Sequence, residues 1–446
     1  MILFSLMVPT MAVVLNLTMF GVALPVVRDS FQLRADVVAL VVVAYTLPFM
    51  LATPLYGRLG DELGKRRLFL IGLITFLVGT MVTAGAGELW LLMVGRFIQG
   101  LGAASVVPLS MTTISQRFPV EERGKALGTW NSIGPLAGMA GPFLAGLMVD
   151  HLGWRTIYGP ILLTALVAFF VIREQVPAKL EAVKPNLLRT FDWGGVVLLT
   201  VSITALTFYL SSPVITGKPP LQDWRLLLAT LLFFGAFIGW ERRHRTPYIA
   251  LDVFADRAFT RASISSAVRM FAMSGIGFLV PLYLTDIYDL SASATGVVLM
   301  VHAAALLVPM RFGGQLADRW SSRWPVTVGL TLQLAMMLGF ALLPDTTPLW
   351  VIMAGVILHG LGAGLSLAAL HRASLGRIPQ DRAGMAVGLY SMVRFGGILL
   401  GPALAGLLLQ QGLNQNLLPI ESYQLVFGVT AAVTLLGVIS GFGLRD

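Results

Sequence analysis

The 446 residues are 56% hydrophobic and only 12% charged, so a soluble protein of this length would have too little polar surface to cover itself. The formal charge of +9 is gathered on one set of loops, which argues against nucleic acid as the partner of the cations. Cysteine is absent, which excludes disulfides and thiolate metal sites.

A membrane span needs about 20 apolar residues, and fourteen such stretches are expected, near 3–27, 37–57, 67–86, 89–115, 124–149, 153–172, 193–212, 224–240, 260–285, 291–311, 325–343, 348–371, 384–411 and 423–443. The first contains no charge up to Val27, yet Asn16 stands in its middle, where a polar group without a partner is costly. It lacks a basic n-region and an A-x-A-like cleavage site, so it is expected to stay in the membrane. With a cytoplasmic N-terminus, the inner loops and C-terminus carry 23 of the 31 Lys and Arg and the outer loops five. This positive-inside distribution predicts a multi-pass protein of the inner or plasma membrane with both termini cytoplasmic.

After the second span comes GRLGDELGKRR (57–67): three glycines suited to tight turns, two adjacent acids and three adjacent cations. Asp61 is suited to accept from a helix N-terminus or an arginine, with Gly57, Gly64, Lys65 and Arg66 around it. A solvated turn that merely obeys the charge rule is the plainer reading of the charges alone. Farther on, Arg96, Arg269 and Arg394 fall inside spans, each at a cost of roughly 2.5–3.5 kcal/mol at a helix centre. They must face a wet cavity, carbonyl oxygens or an anion. Arg96 has the alternative of fixing its helix against neighbours, and Arg269 that of snorkelling to the inner surface. His302 and His359 lie near mid-span, where a histidine can carry a proton near neutral pH; for His359, inside HGLGAG, a helix-contact role competes. Gln99, Trp130, Asn131, Tyr283 and Tyr390 are candidates to line a substrate cavity, with packing the alternative for the aromatic ones.

The chain repeats itself. GRFIQGLGA (95–103) lies over GVILHGLGA (355–363), and GPFLAGL (141–147) over GPALAGL (401–407), both at an offset of 260. Arg117, Pro119, Gly124, Ala126 and Gly128 likewise meet Arg377, Pro379, Gly384, Ala386 and Gly388. GRLGD (57–61) and GQLAD (314–318) pair at 257, bringing in Gly314 and Asp318. Shared Gly and Pro mark close helix contacts and turns rather than greasiness. Two six-helix halves are implied, residues 1–173 and 260–446. Between them, 174–259 holds a hairpin of two further spans, entered by REQVPAKLEAVKPNLLRTFD. Parallel repeats with a substrate site near the midplane are a transporter plan.

GRLGDELGKRR resembles the loop signature of the major facilitator superfamily through Gly57, Leu59, Asp61, Gly64, Lys65 and Arg66. GRFIQGLGAA (95–104) is similar to its fourth-helix signature through Arg96, Gln99, Gly100 and Gly102. GTWNSIGPLAGMAGPFLAG (128–146), which contains Gly138, is similar to the fifth-helix motif of its antiporter branches at Gly128, Gly141, Pro142 and Gly146, with Ala137 and Ala145 where glycines are usual. Fourteen spans, GWR (153–155), FDW (191–193) and ERRHRTPYIALDVFADRAF (241–259) narrow the resemblance to the fourteen-helix drug:proton antiporter branch. The resemblance implies an all-α integral membrane protein with that superfamily's fold: two six-helix bundles plus an inserted hairpin. It further implies a secondary transporter that exports hydrophobic or amphipathic compounds by alternating access.

That branch carries an acid in the first helix where this chain has Asn16, and an asparagine where it has Gly21. Asparagine hydrogen-bonds but does not titrate, so the coupling role does not transfer, and no Asp or Glu occupies a helix centre to replace it. A uniporter, a carrier of anionic or lipid-like molecules with the arginines as ligands, and a non-transporting sensor stay open as alternatives. The expected partners are a small-molecule substrate and the lipid bilayer, with protons a candidate and nucleic acid not. No metalloprotease, nucleophile-elbow or Walker A motif occurs in the sequence, so neither an enzyme nor a cofactor is expected.

Overall fold

A long apolar run in hydrocarbon can satisfy its backbone only within itself, as helix. The computed structural model describes residues 2–176, 191–244, 247–249, 251–376, 378 and 383–444, and among them no strand occurs. The long helices are α1 (Ile2–Ser30), α2 (Ala35–Leu63), α3 (Lys65–Ala84), α4 (Leu89–Ala103), α5 (Val106–Arg117), α6 (Val120–Asn131), α7 (Ile133–Leu152) and α8 (Tyr158–Gln175). They continue as α9 (Trp193–Leu210), α10 (Trp224–Arg243), α11 (Arg257–Tyr288), α12 (Ala292–Arg319), α13 (Arg323–Leu342), α14 (Leu349–Leu375), α15 (Ala383–Asn414) and α16 (Pro419–Phe442). Among the described residues they supply 14 spans long and apolar enough to cross a membrane, α4 with α5 forming one and the end of α6 with α7 another. Threonines inside spans turn their hydroxyls back onto the carbonyl four residues earlier, as Thr10 to Leu6 (3.0 Å), Thr80 to Phe76 (2.7 Å) and Thr434 to Thr430 (2.8 Å). No hydroxyl of these three faces lipid without an acceptor.

The chain forms two compact units: residues 1–33, 41–189 and 289–303, and residues 34–40, 190–288 and 304–446. In the first, α1 packs on α7 and α8, and α3 on α4 and α8; in the second, α11 packs on α15 and α16, and α13 on α14 and α16. The pairs correspond through the sequence repeat. Glycines set how closely they cross. A Cβ on Gly102 would strike the Phe76 backbone and fall 2.5 Å from the Gly72 oxygen, while one on Gly362 would strike the Gly329 oxygen. Similarly, a Cβ on Gly141 would strike the Thr18 hydroxyl and one on Gly401 the Ser274 hydroxyl. The repeat markers Arg377 and Pro379 lie outside the described residues.

The first turns of α2 and α12 are held in matching ways. Asp150, at the end of α7, accepts from the backbone N–H groups of Ala292 (3.0 Å) and Ser293 (2.8 Å), within the first unit. Gln410, which stands 260 residues later, accepts from the N–H of Ala35 (3.0 Å), within the second. Small residues allow the approach: a Cβ on Gly146 would lie 2.6 Å from the Ala292 oxygen, and one on Gly406 would lie 2.8 Å from the Ala35 oxygen.

GRLGDELGKRR departs from the turn expected of it. α2 continues through Leu63 and only Gly64, at φ 85°, breaks the chain before α3. Its missing side chain is what permits that backbone angle. Gly60 is instead a packing glycine, whose Cβ would sit 2.7 Å from Leu109 Cδ2. The Asp61 side chain lies outside the described residues. In the inserted segment α9 packs on α10, and the enclosed Asp192 carboxylate holds its base together. It caps α9 at the Gly195 N–H (2.8 Å) and accepts from Trp240 Nε1 (2.8 Å) and the Tyr248 N–H (3.1 Å). FDW and the segment after α10 are thus two sides of one joint.

Candidate functional site

Asn16 has a partner. In the first unit its Oδ1 accepts from Arg96 NH1 (3.4 Å), which also donates to Gln99 Oε1 (2.9 Å), and Gln99 Nε2 donates to Thr80 Oγ1 (2.9 Å). The Arg96 guanidinium lies 4.1 Å from the Phe20 ring centre and 4.5 Å from that of Tyr45. Four helices, α1 to α4, therefore meet around one cation that is 1% exposed. Among the described residues no carboxylate pairs with it. Amide oxygens and ring faces supply the negative end of the interaction, the latter worth about 2 kcal/mol when desolvated.

Gln99 corresponds to His359 at the 260-residue offset, and the two do similar work. His359 Nε2 lies 3.1 Å from Gln333 Nε2, tying α14 to α13 as Gln99 ties α4 to α3. His359 is fully enclosed, and its hydrogen bond to Gln333 makes it an interhelical link. His302, half-buried, stands at the place Tyr45 holds in the first repeat, 257 residues earlier. Tyr283 is packed rather than cavity-lining, since its ring meets those of Tyr288, Phe340, Tyr423 and Phe427 at 5.3–5.9 Å. Trp130 is enclosed too, donating from Nε1 to Thr10 Oγ1 (3.0 Å) and the Leu6 oxygen (3.2 Å). Asn131 is exposed where α6 gives way to α7.

Arg269 does not snorkel. It is 1% exposed, and its Nε donates to the Ala363 oxygen on α14 (2.8 Å). Arg394 lies on α15, which crosses α11 with Gly397 pressed against the backbone of Ala267 and Phe271 on either side of Arg269, and its NH1 lies 3.4 Å from His371 Nε2. The His371 ring meets Tyr390 edge-on at 5.4 Å. The second unit thus gathers two arginines, a histidine and a tyrosine. His371 escaped the sequence reading because it sits beside Arg372 near a helix end, where a charge looks like ordinary interface decoration.

The glycine motifs hold close approaches. Gly57 lies over Pro108 and Gly314 over Ala368, each with a would-be Cβ distance of 3.5 Å, and these pairs correspond through the repeat. Asp318 pairs with Arg372 (3.2 Å). Lys65 is enclosed and Arg66 half-buried. Gly138 faces Ala303, and Gly296 is pressed against the Pro142 carbonyl, so the fifth-helix motif carries the start of α12. No cluster able to hold a metal ion occurs among the described residues.

The Major Facilitator Superfamily profile matches residues 6–256 and 262–445, nearly the whole chain. The chain belongs to the Major Facilitator Superfamily. It is 30% identical over 409 residues to the multidrug resistance protein Stp of Mycobacterium tuberculosis (strain CDC 1551 / Oshkosh), covering 91% of this chain and 75% of that one. It is 27% identical over 410 residues to the tetracenomycin C resistance and export protein of Streptomyces glaucescens, covering 91% and 75%. A D-xylose–proton symporter crystal structure superposes with a TM-score of 0.72 at 12% identity, covering 100% of this chain and 97% of that one; at that identity it speaks for the fold. The superfamily member described here is a multi-pass membrane transporter of small molecules with the fold its motifs implied.

Proposed function

We propose that the protein exports hydrophobic or amphipathic compounds from the cytoplasm by alternating access, and that it favours neutral or anionic over cationic substrates. The observation that carries the substrate preference is the charge inside the spans: three enclosed or half-enclosed arginines and, among the described residues, no carboxylate beside them. Unpaired buried cations repel a cationic ligand and attract an anionic one. The direction of transport is supported by the resistance and export roles in the relatives' names. In this reading the transporter is no enzyme, sits in the plasma membrane with both termini cytoplasmic and uses the bilayer, not nucleic acid, as its surroundings. Residues 1–173 and 260–446 act as the two transport halves, with 174–259 as an accessory hairpin.

Proton coupling cannot run through the first helix as it would with an acid there, because Asn16 accepts a hydrogen bond from Arg96 and does not titrate. The test is reconstitution in liposomes with an internal pH-sensitive dye, under gradients of matched neutral, anionic and cationic substrates, beside Asn16→Asp. Export of neutral or anionic compounds is expected, without proton movement in the parent and with it in Asn16→Asp. Tight selection for cations overturns the substrate preference; substrate-dependent proton flux in the parent means that a histidine or a boundary acid carries the coupling in place of Asn16.

A further inference from the structure

We infer that the second unit contains a binding site for an oxyanion, the carboxylate or phosphate of an amphipathic substrate, formed by Arg269 and Arg394 with His371 and Tyr390 beside them. The inference rests on the transporter reading above and names the chemistry that this part of it recognises.

Three observations converge. First, the cations are uncompensated. Neither arginine has an ion pair among the described residues, although one residue past His371 the chain does supply an acid, Asp318 to Arg372. Where the fold wants a structural pair it provides one. Two like charges held near each other in a low-dielectric interior cost free energy that a shared anion removes.

Second, the geometry leaves the binding groups available. Arg269 is anchored through Nε to the Ala363 oxygen (2.8 Å), which fixes the plane of the guanidinium. Beyond that bond its contact is a long one from NH1 to Met270 Sδ (4.0 Å). A planar fork held at Nε is suited to two parallel bonds to an oxyanion. The Arg394 Nε is enclosed without a hydrogen-bond partner. Arg394 and His371 are themselves half-buried, so part of each side chain is accessible.

Third, packing does not require these charges. The first repeat places Gly134 where Arg394 stands and, at the offset of 256 that lays Thr18 and Pro25 on Ser274 and Pro281, Val13 where Arg269 stands, yet it builds the corresponding helix pairs. The scaffold closes without arginine at either place.

The test uses the purified full-length protein in nonionic detergent and three probes of one shape, 2-naphthoate, 2-naphthamide and 2-naphthylmethylammonium, with binding read by calorimetry. Competition by inorganic phosphate, chloride and phosphatidylglycerol, and liposome uptake of the same probes, complete it. Naphthoate is expected to bind at least tenfold more tightly than the amide, and phosphate to compete. Arg269→Gln and Arg394→Gln should each weaken naphthoate at least tenfold and leave the amide unchanged. Arg394→Lys, which keeps the charge and loses the fork, should fall between, and it serves if the glutamine variants do not fold. Arg372→Gln should bind as the parent.

Equal affinity for acid and amide, or unchanged naphthoate binding in folded Arg269→Gln and Arg394→Gln, overturns the site. So does chloride that displaces naphthoate while phosphate does not, because the site then takes a monatomic ion. Displacement by phosphatidylglycerol but not by phosphate assigns the oxyanion to a lipid headgroup and overturns the substrate role. If the amide is transported and naphthoate is not bound, the exporter reading stands and the anion site falls. If naphthoate is bound with these losses and no probe is transported, the site stands and the transport reading falls.

Discussion

The two units are alike in how their helices touch and unlike in what they bury. Gly102 on Gly72 and Phe76 is answered by Gly362 on Gly329, Gly141 on Thr18 by Gly401 on Ser274, and Gly146 on Ala292 by Gly406 on Ala35. The polar interiors break the correspondence. The first unit wraps one arginine in amides and aromatic rings, fully enclosed. The second gathers two arginines and a histidine, of which Arg394 and His371 are only half-buried. Close packing is a property the repeat can copy, because a glycine is either tolerated or not by the facing backbone. Charge is not constrained that way. It follows what each unit must meet, so the departures from symmetry are where function is written.

The comparison breaks first at its glycines if it breaks at all. Gly102→Val and Gly362→Val each drive side-chain atoms into a facing backbone that cannot rotate away. Each should lose about 3 kcal/mol or more, beyond the usual range for overpacking because backbone is the obstacle. The measurement is the yield and melting of folded protein by fluorescence-detected size exclusion, and both variants should fail alike. A harmless result at one of the two would mean that the units are not held by the same crossing.

A smaller and sharper effect concerns the corresponding residues Gln99 and His359. Gln99→Leu takes away the N–H that Thr80 accepts, leaving its hydroxyl only the Phe76 carbonyl, and removes an acceptor from Arg96, while His359→Leu strands the Gln333 amide. Each should cost about 1–3 kcal/mol, the penalty of a buried polar group left unsatisfied. Gln99→Leu should be the costlier because one of its lost bonds is charged. His359→Gln, which writes the first unit's solution into the second, should recover most of the loss in thermal melting. Failure to recover it would mean that the imidazole does something beyond tying α14 to α13.

Much of this was legible beforehand. The spans follow from long runs of apolar residues, and the repeat from glycines and prolines at constant offsets, because both are local properties of the chain. Arg96 and Asn16 were conspicuous as polar groups in apolar surroundings, yet their contact joins positions 80 residues apart and depends on how α1 and α4 cross. The Arg269–Arg394–His371 cluster was less legible still. Its histidine looks like the interfacial end of a helix, and only the packing of α11, α14 and α15 turns three ordinary residues into one group. The turn expected of GRLGDELGKRR failed for a related reason. Gly60 and Gly64 read alike in sequence, but one meets Leu109 and the other sets the backbone angle.

The least of the expected effects tests the correspondence at its finest point. Asp150 and Gln410 occupy equivalent places and hold the first turns of α12 and α2, but one offers a carboxylate to two N–H groups and the other an amide oxygen to one. A capping acceptor is worth about 0.5–2 kcal/mol, and the exposure of Asp150 places it at the lower end through solvent screening. Asp150→Ala should therefore lower the melting temperature slightly more than Gln410→Ala. Asp150→Gln, which makes the two ends chemically the same, should bring the first unit's loss on further alanine substitution down to that of the second. Hydrogen exchange at Ala292, Ser293 and Ala35 reads the same ordering residue by residue. If the Ala35 amide loses more protection in Gln410→Ala than Ala292 and Ser293 lose in Asp150→Ala, charge is not what distinguishes the two ends. The glycine contacts beneath them, Gly146 on Ala292 and Gly406 on Ala35, would then carry the difference.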